Sequence, residues 1–241
     1  MGQTKIQRKQ FHDDGWISAN ETWTYASADD PTYTFTISVF DATAKYNAGM
    51  KVKLTQSTGG TKYAIITKVV FDDPGSTITA YFGTDYNLEN EAITAPYYSM
   101  LKAPFGFPMS PIKWTVITTD TSIRSQATAV ANTFYNLGSV SISIPIGVWE
   151  VSYQVVGQQS GVGSLETTLS TANNSETDKD FTVRPYQEGH PYGDWRFRSK
   201  YLSIASKTSY YLNTTTDNGG TTIYNRGDHA TTVLRAVCAY L

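Results

Sequence analysis

Apolar and polar residues alternate in short runs along most of the chain. Tyr33, Phe35 and Ile37 alternate with Thr32, Thr34, Thr36 and Ser38. Val52 and Leu54 alternate with Lys51, Lys53 and Thr55, and Ile78, Ala80 and Phe82 with Thr77, Thr79 and Tyr81. Further on, Trp149, Val151, Tyr153 and Val155 alternate with Glu150, Ser152 and Gln154. A period of two predicts strands with one face on a core and one toward water. Gly, Pro, Asn and Asp break the runs, as turns require. No stretch of helical length carries a 3.6-residue period. A single helical turn over Asn87–Ile93 is the most that the pattern allows. The expected fold class is all-β.

Proline divides the pattern. Pro104, Pro108 and Pro111 fall within Ala103–Ile112, where a central strand is excluded and a stiff connection is favoured. Residues 103–112 therefore read as a Pro-rich linker between a small β-barrel domain at 16–102 and a β-sandwich at 113–241. Eight or more short strands without a helix in the second segment fit a sandwich or jelly roll. Residues 1–15 read as a polar N-terminal arm, carrying Lys5, Arg8, Lys9, His12, Asp13 and Asp14. Such an arm stays ordered only by packing on something outside itself, and a neighbouring subunit is the expected support.

Composition narrows the chemistry. The 241 residues hold 34 threonines, 21 serines and 17 tyrosines, a β-favouring set. Formal charge is −2, which removes the electrostatic case for nucleic acid. The single cysteine, Cys238, excludes an internal disulfide and a multi-cysteine metal site. No apolar run reaches the roughly 18–20 residues of a helical membrane span, and the opening residues lack the apolar centre of a secretory leader. A soluble protein without membrane insertion is expected.

Catalytic groups do not converge in the sequence. Gly157 to Gly161 places Ser160 one position late for a nucleophile elbow. His190 with Asp194, and Asp228 with His229, read as loop histidines beside solvated acids. Asp29–Asp30, Asp72–Asp73 and Asp178 with Asp180 sit in turn-forming surroundings rather than as the paired carboxylates of a glycosidase. Asn173–Asp178 and Asp217–Gly220 offer oxygen ligands but not the spacing of known calcium loops, and ordinary turns are the simpler reading. No enzyme activity, cofactor or metal is expected.

The densest stretch is Arg184–Tyr201, where Tyr186, His190, Tyr192, Trp195, Phe197 and Tyr201 interleave with Arg184, Arg196, Arg198 and Lys200. Alternation puts Trp195 and Phe197 on one face of a strand and Arg196 and Arg198 on the other. Hydrophobicity favours the aromatic pair inside and the arginines outside, with a subunit interface or a ligand contact as alternatives. The turn-rich part, with Gly189, Pro191 and Gly193, makes Tyr186, His190, Tyr192 and Trp195 the candidate ligand or receptor contacts.

Two resemblances follow from particular stretches. The Trp-rich opening GWISANETWTYASADDPTYTFTIS at 15–38, the Gly49–Met50 turn, the Gly83–Tyr86 turn and the exit from Tyr97 to Pro104 resemble a small β-barrel module of tailed-bacteriophage structural proteins. In the second segment, Phe134–Gly138, Val140–Ile144 and Pro145–Tyr153 are similar in order to the C1q and tumour-necrosis-factor jelly rolls. The first resemblance implies a virion protein: a tail-fibre or receptor-binding component, alternatively a capsid decoration or head fibre, and less favourably a polysaccharide-degrading tail enzyme. Other virion proteins and a host cell-surface glycan are the implied partners. The second resemblance implies a homotrimer. The strand expected over Thr232–Leu241 is apolar on both faces, and a two-layer sandwich covers only one. Val233, Arg235, Val237 and Leu241 are accordingly the candidate trimer-interface residues, with Arg235 needing an acidic or carbonyl partner.

Overall fold

A computed structural model describes residues 14–188 and 193–241, which form two compact units. Of the described residues, the first comprises those up to Trp114 together with Tyr240–Leu241, and the second comprises those within Thr115–Ala239. Most of the N-terminal arm lies outside the described residues.

The first unit is one antiparallel sheet. Its strands are β1 (Ile17–Ser18), β2 (Thr24–Asp29), β3 (Thr32–Ile37), β4 (Lys51–Gln56), β5 (Gly60–Asp72), β6 (Gly75–Tyr81) and β7 (Thr94–Ser99). They are ordered β1-β7-β4-β5-β6-β3-β2 and curl into a half-barrel. Register shifts at Tyr25/Ser27, Lys53/Thr55 and Ile66/Lys68 interrupt the ladders, and bulges of this kind bend and twist a sheet. The alternating residues Phe35, Ile37, Val52, Leu54, Ile78 and Phe82 line its core with Trp23 and Tyr46. Residues 87–93 form an extended loop rather than a helical turn; the hydroxyl of buried Tyr33 accepts the Leu88 amide at 3.2 Å and fixes the loop's path.

Lys51 departs from the outward position that alternation gives it. It is buried, and its Nζ donates to the carbonyls of Gly49 at 3.1 Å and Tyr240 at 2.6 Å. Gly49 has φ +96°, and a Cβ there would meet the Tyr240 ring at 3.2 Å, so glycine serves both the backbone and the contact. Leu241 is consequently held with the first unit instead of extending the last strand, which ends at Cys238.

The segment at 103–112 also belongs to the first unit. Phe107 is buried and stacks on Trp114 with centroids 5.1 Å apart and an interplanar angle of 4°. The indole nitrogens of Trp16 and Trp114 donate to the carbonyls of Phe105 at 2.8 Å and Pro108 at 2.7 Å. Buried aromatic surface and satisfied indole donors make this segment a strap rather than a free spacer.

The second unit is a jelly-roll β-sandwich. One sheet contains β8 (Thr115–Asp120), β17 (Thr232–Cys238), β11 (Gly147–Gln159) and β14 (Asp194–Ile204), and it is extended beside β11 by β16 (Ile223–Arg226) and β9 (Ile123–Gln126). The other is ordered β10 (Ser141–Ile144), β15 (Thr208–Thr216), β12 (Val162–Ser170) and β13 (Tyr186–Glu188). Trp149, Val151, Tyr153 and Val155 of β11 and Leu234, Ala236 and Cys238 of β17 point into the core. Ile142, Leu165, Leu169 and Leu212 meet them from the opposite sheet.

Candidate functional site

Register places four strands of the second unit side by side with one common outward face. Along β11 the outward positions are Glu150, Ser152, Gln154 and Val156, because the odd-numbered residues fill the core. Opposite them on β14 stand Tyr201, Ser199, Phe197 and Trp195. On the other flank, Val237, Arg235 and Val233 of β17 face Glu150, Ser152 and Gln154, and they are followed on β8 by Thr115, Ile117 and Thr119. Trp195, Phe197, Tyr201 and Ile117 are 64%, 58%, 67% and 56% exposed, whereas Val233 and Val237 are half-buried. A depression of about 240 Å³ lies on this face between Ile117, Ser152, Phe197, Val233 and Arg235.

The core expectation for β14 is thereby reversed. Trp195 and Phe197 face out, and Arg196 is fully buried. The physical reason is the partner strand: Trp149, Val151, Tyr153 and Val155 of β11 are buried and fix the shared face, so β14 turns inward whichever residues pair opposite Trp149, Val151 and Val155. Those are Leu202, Lys200 and Arg196. On that inward side Lys200 is satisfied locally, its Nζ lying 2.7 Å from Asp178 and 2.8 Å from Asp180. These hydrogen bonds raise the Lys200 pKa and lower that of Asp180.

Charge on the outward face is sparse. The Glu150 carboxylate accepts the Ser199 hydroxyl at 3.0 Å. Arg235 is exposed and has no ion-pair partner among the described residues. It sits diagonally from Glu150 on the adjacent strand, since Ser152 is its direct neighbour.

The remaining sequence candidates disperse. Tyr186 is exposed on β13, in the sheet opposite Trp195. His190 and Tyr192 lie outside the described residues. Asp228 is engaged by Arg226, whose Nε and Nη2 approach it at 2.9 and 2.8 Å and push its pKa down to about 2. His229 Nε2 lies 2.7 Å from Arg226 Nη2. Asn213 donates to the carbonyls of Ala172 and Ser175 and so closes the 171–177 loop on itself, while Asp217 accepts the Ser164 amide at 2.8 Å. Among the described residues no three His, Cys, Asp or Glu side chains are grouped to hold a metal. No helix among the described residues is long and apolar enough to cross a membrane.

No protein-family model matches the chain, and no curated protein does. Among solved structures, it is similar to VP2 of infectious bursal disease virus in a subviral particle, with 12% identity over 90% of this chain and a TM-score of 0.26. A structure of the T13 particle of that virus gives 13% identity over 90% and a TM-score of 0.25. One of its Gx strain gives 10% identity over 92% and a TM-score of 0.23. The chain spans 62%, 60% and 63% of those chains, respectively. At such scores no property of fold or function is taken from the likeness.

Proposed function

We propose that the chain is a non-enzymatic structural protein of a tailed-bacteriophage particle, acting as a homotrimeric tail-fibre or receptor-binding component. The observation that carries this reading is the outward face of β8, β17, β11 and β14. Contiguous exposed aromatic and aliphatic surface on a sheet is costly in water and marks an association site. The phage-like sequence features of the first unit supply the virion context, and the jelly-roll resemblance supplies the three-fold arrangement. Three copies related by rotation bury the same face three times over. Val233, Arg235 and Val237 fall inside that face, together with Trp195, which then serves subunit contact. Tyr186, on the other sheet, is left for a host cell-surface glycan. Decoration of a capsid is the alternative placement for the same trimer.

Sedimentation equilibrium at micromolar concentration tests the assembly. The expected mass is three times 26.6 kDa. Replacing both Trp195 and Phe197 with serine should return the monomer, with unfolding free energy changed by less than about 0.5 kcal/mol because both rings already face water. A wild-type monomer would overturn the reading, and so would a variant that still assembles.

A further inference from the structure

The core of the second unit contains a cluster of buried polar side chains that lies apart from the association face. Arg196 enters it from β14, fully buried, and its Nη1 lies 3.4 Å from the Thr167 hydroxyl. That hydroxyl is 3.4 Å from the Thr214 hydroxyl, which in turn donates to Asn225 Oδ1 at 3.2 Å. Asn225 is 1% exposed and stands directly opposite Gly157, the residue over which the guanidinium is laid. The two side chains therefore occupy neighbouring places on the same inner face. Nε and Nη2 of Arg196 and Nδ2 of Asn225 are all buried without a hydrogen-bond partner among the described residues. Each of these atoms is a donor. No carboxylate lies within ion-pair distance of Arg196 among the described residues.

An unpaired buried cation costs several kcal/mol, so the cluster needs compensation. Burial lowers the Arg196 pKa to about 10, with the Asp194 charge opposing, and the group stays protonated at neutral pH. A water molecule is a poor guest, because it needs acceptors for its own hydrogens and the surplus here consists of donors. A small anion needs donors only and cancels the charge as well.

We propose that the core of the second unit binds a small monovalent inorganic anion, chloride under physiological conditions, between the guanidinium of Arg196 and the carboxamide of Asn225. Thermal unfolding of the full chain in sodium chloride and in sodium gluconate at equal ionic strength tests it, gluconate being too large to enter. The midpoint should be higher in chloride by about 3 °C, as expected for a ligand present at several times its dissociation constant. Asn225→Asp supplies a fixed carboxylate where the anion would sit. It should remove the chloride dependence and raise the midpoint in gluconate. Equal wild-type midpoints in the two salts would overturn the proposal, as would a chloride dependence that persists in Asn225→Asp. Should that variant not fold, anomalous diffraction from a bromide-soaked wild-type crystal decides: a peak between Arg196 and Asn225 supports the site, and its absence rejects it.

Discussion

The guanidinium of Arg196 occupies the volume in which a side chain at Gly157 would stand, since a Cβ there would lie 1.2 Å from Nη1 and 2.3 Å from Cζ. Neither residue is interchangeable on its own. Gly157→Ala should cost about 3 kcal/mol in denaturant unfolding, because a buried charged group must be displaced from a close-packed interior. Arg196→Ala should also destabilise, by leaving a cavity, but the double variant should cost less than the sum of the two. Additive costs would show that the two sites do not share the space. This pairing was not legible in the sequence. The order Trp195, Arg196, Phe197, Arg198 defines two faces of a strand without saying which points inward. Hydrophobicity favoured the aromatic pair, and the neighbouring strand decided otherwise. Lys51 is a parallel case, because one of the two carbonyls that accept from its ammonium, that of Tyr240, lies 189 residues away.

At the scale of elements the sequence was more informative. The strands whose alternation was clearest, β3, β4, β6 and β11, form where the pattern puts them, since one apolar face per strand is enough to fix register. The close of the last strand and the course of residues 103–112 were not legible, because both depend on distant partners: Tyr240 on Lys51, and Phe107 on Trp114. Tyr153 shows how one core position joins elements. Its hydroxyl lies 2.9 Å from the carbonyl oxygen of Thr167 and 2.8 Å from that of Phe181 and shares its one proton between them, which ties β11 to β12 and to the 3-10 turn at Lys179–Phe181. Burial raises its pKa above the 10.0 of a free phenol, against the opposing charges of Arg196 and Arg198. The folded state thus holds this proton more tightly than the unfolded state does. Its contribution to stability is complete below pH 10 and is lost as pH rises beyond it. Tyr153→Phe should cost about 1 kcal/mol at neutral pH and should flatten the alkaline loss of stability, measured by urea unfolding at neutral pH and at about pH 11. An unchanged alkaline slope would assign that loss to other groups.

For the molecule as a whole, the outward face of β8, β17, β11 and β14 carries two charges that give its association a distinctive signature. Among the described residues of one copy Glu150 bonds only Ser199 and Arg235 has no acidic partner, although the two stand on adjacent strands. Val233, Val237 and Phe197 surround them with apolar surface. If copies associate through this face, Arg235 becomes desolvated and needs an acid, and the carboxylate that every copy brings to the same face is Glu150. An ion pair formed between copies obeys a reciprocal rule that a pair within one chain does not share with assembly. Arg235→Glu alone should leave like charges facing each other, and Glu150→Arg alone should do the same. A desolvated unpaired charge costs about 3–5 kcal/mol, enough to lower the association constant more than a hundredfold. Combining the two substitutions restores opposite charges with their positions exchanged, and assembly should return. Sedimentation equilibrium on the three variants reads this directly. Monomeric single variants with an assembled double variant would place the Glu150–Arg235 pair across the interface. Single variants that assemble like the wild type would show that Arg235 stays in water and that the face is covered in some other way.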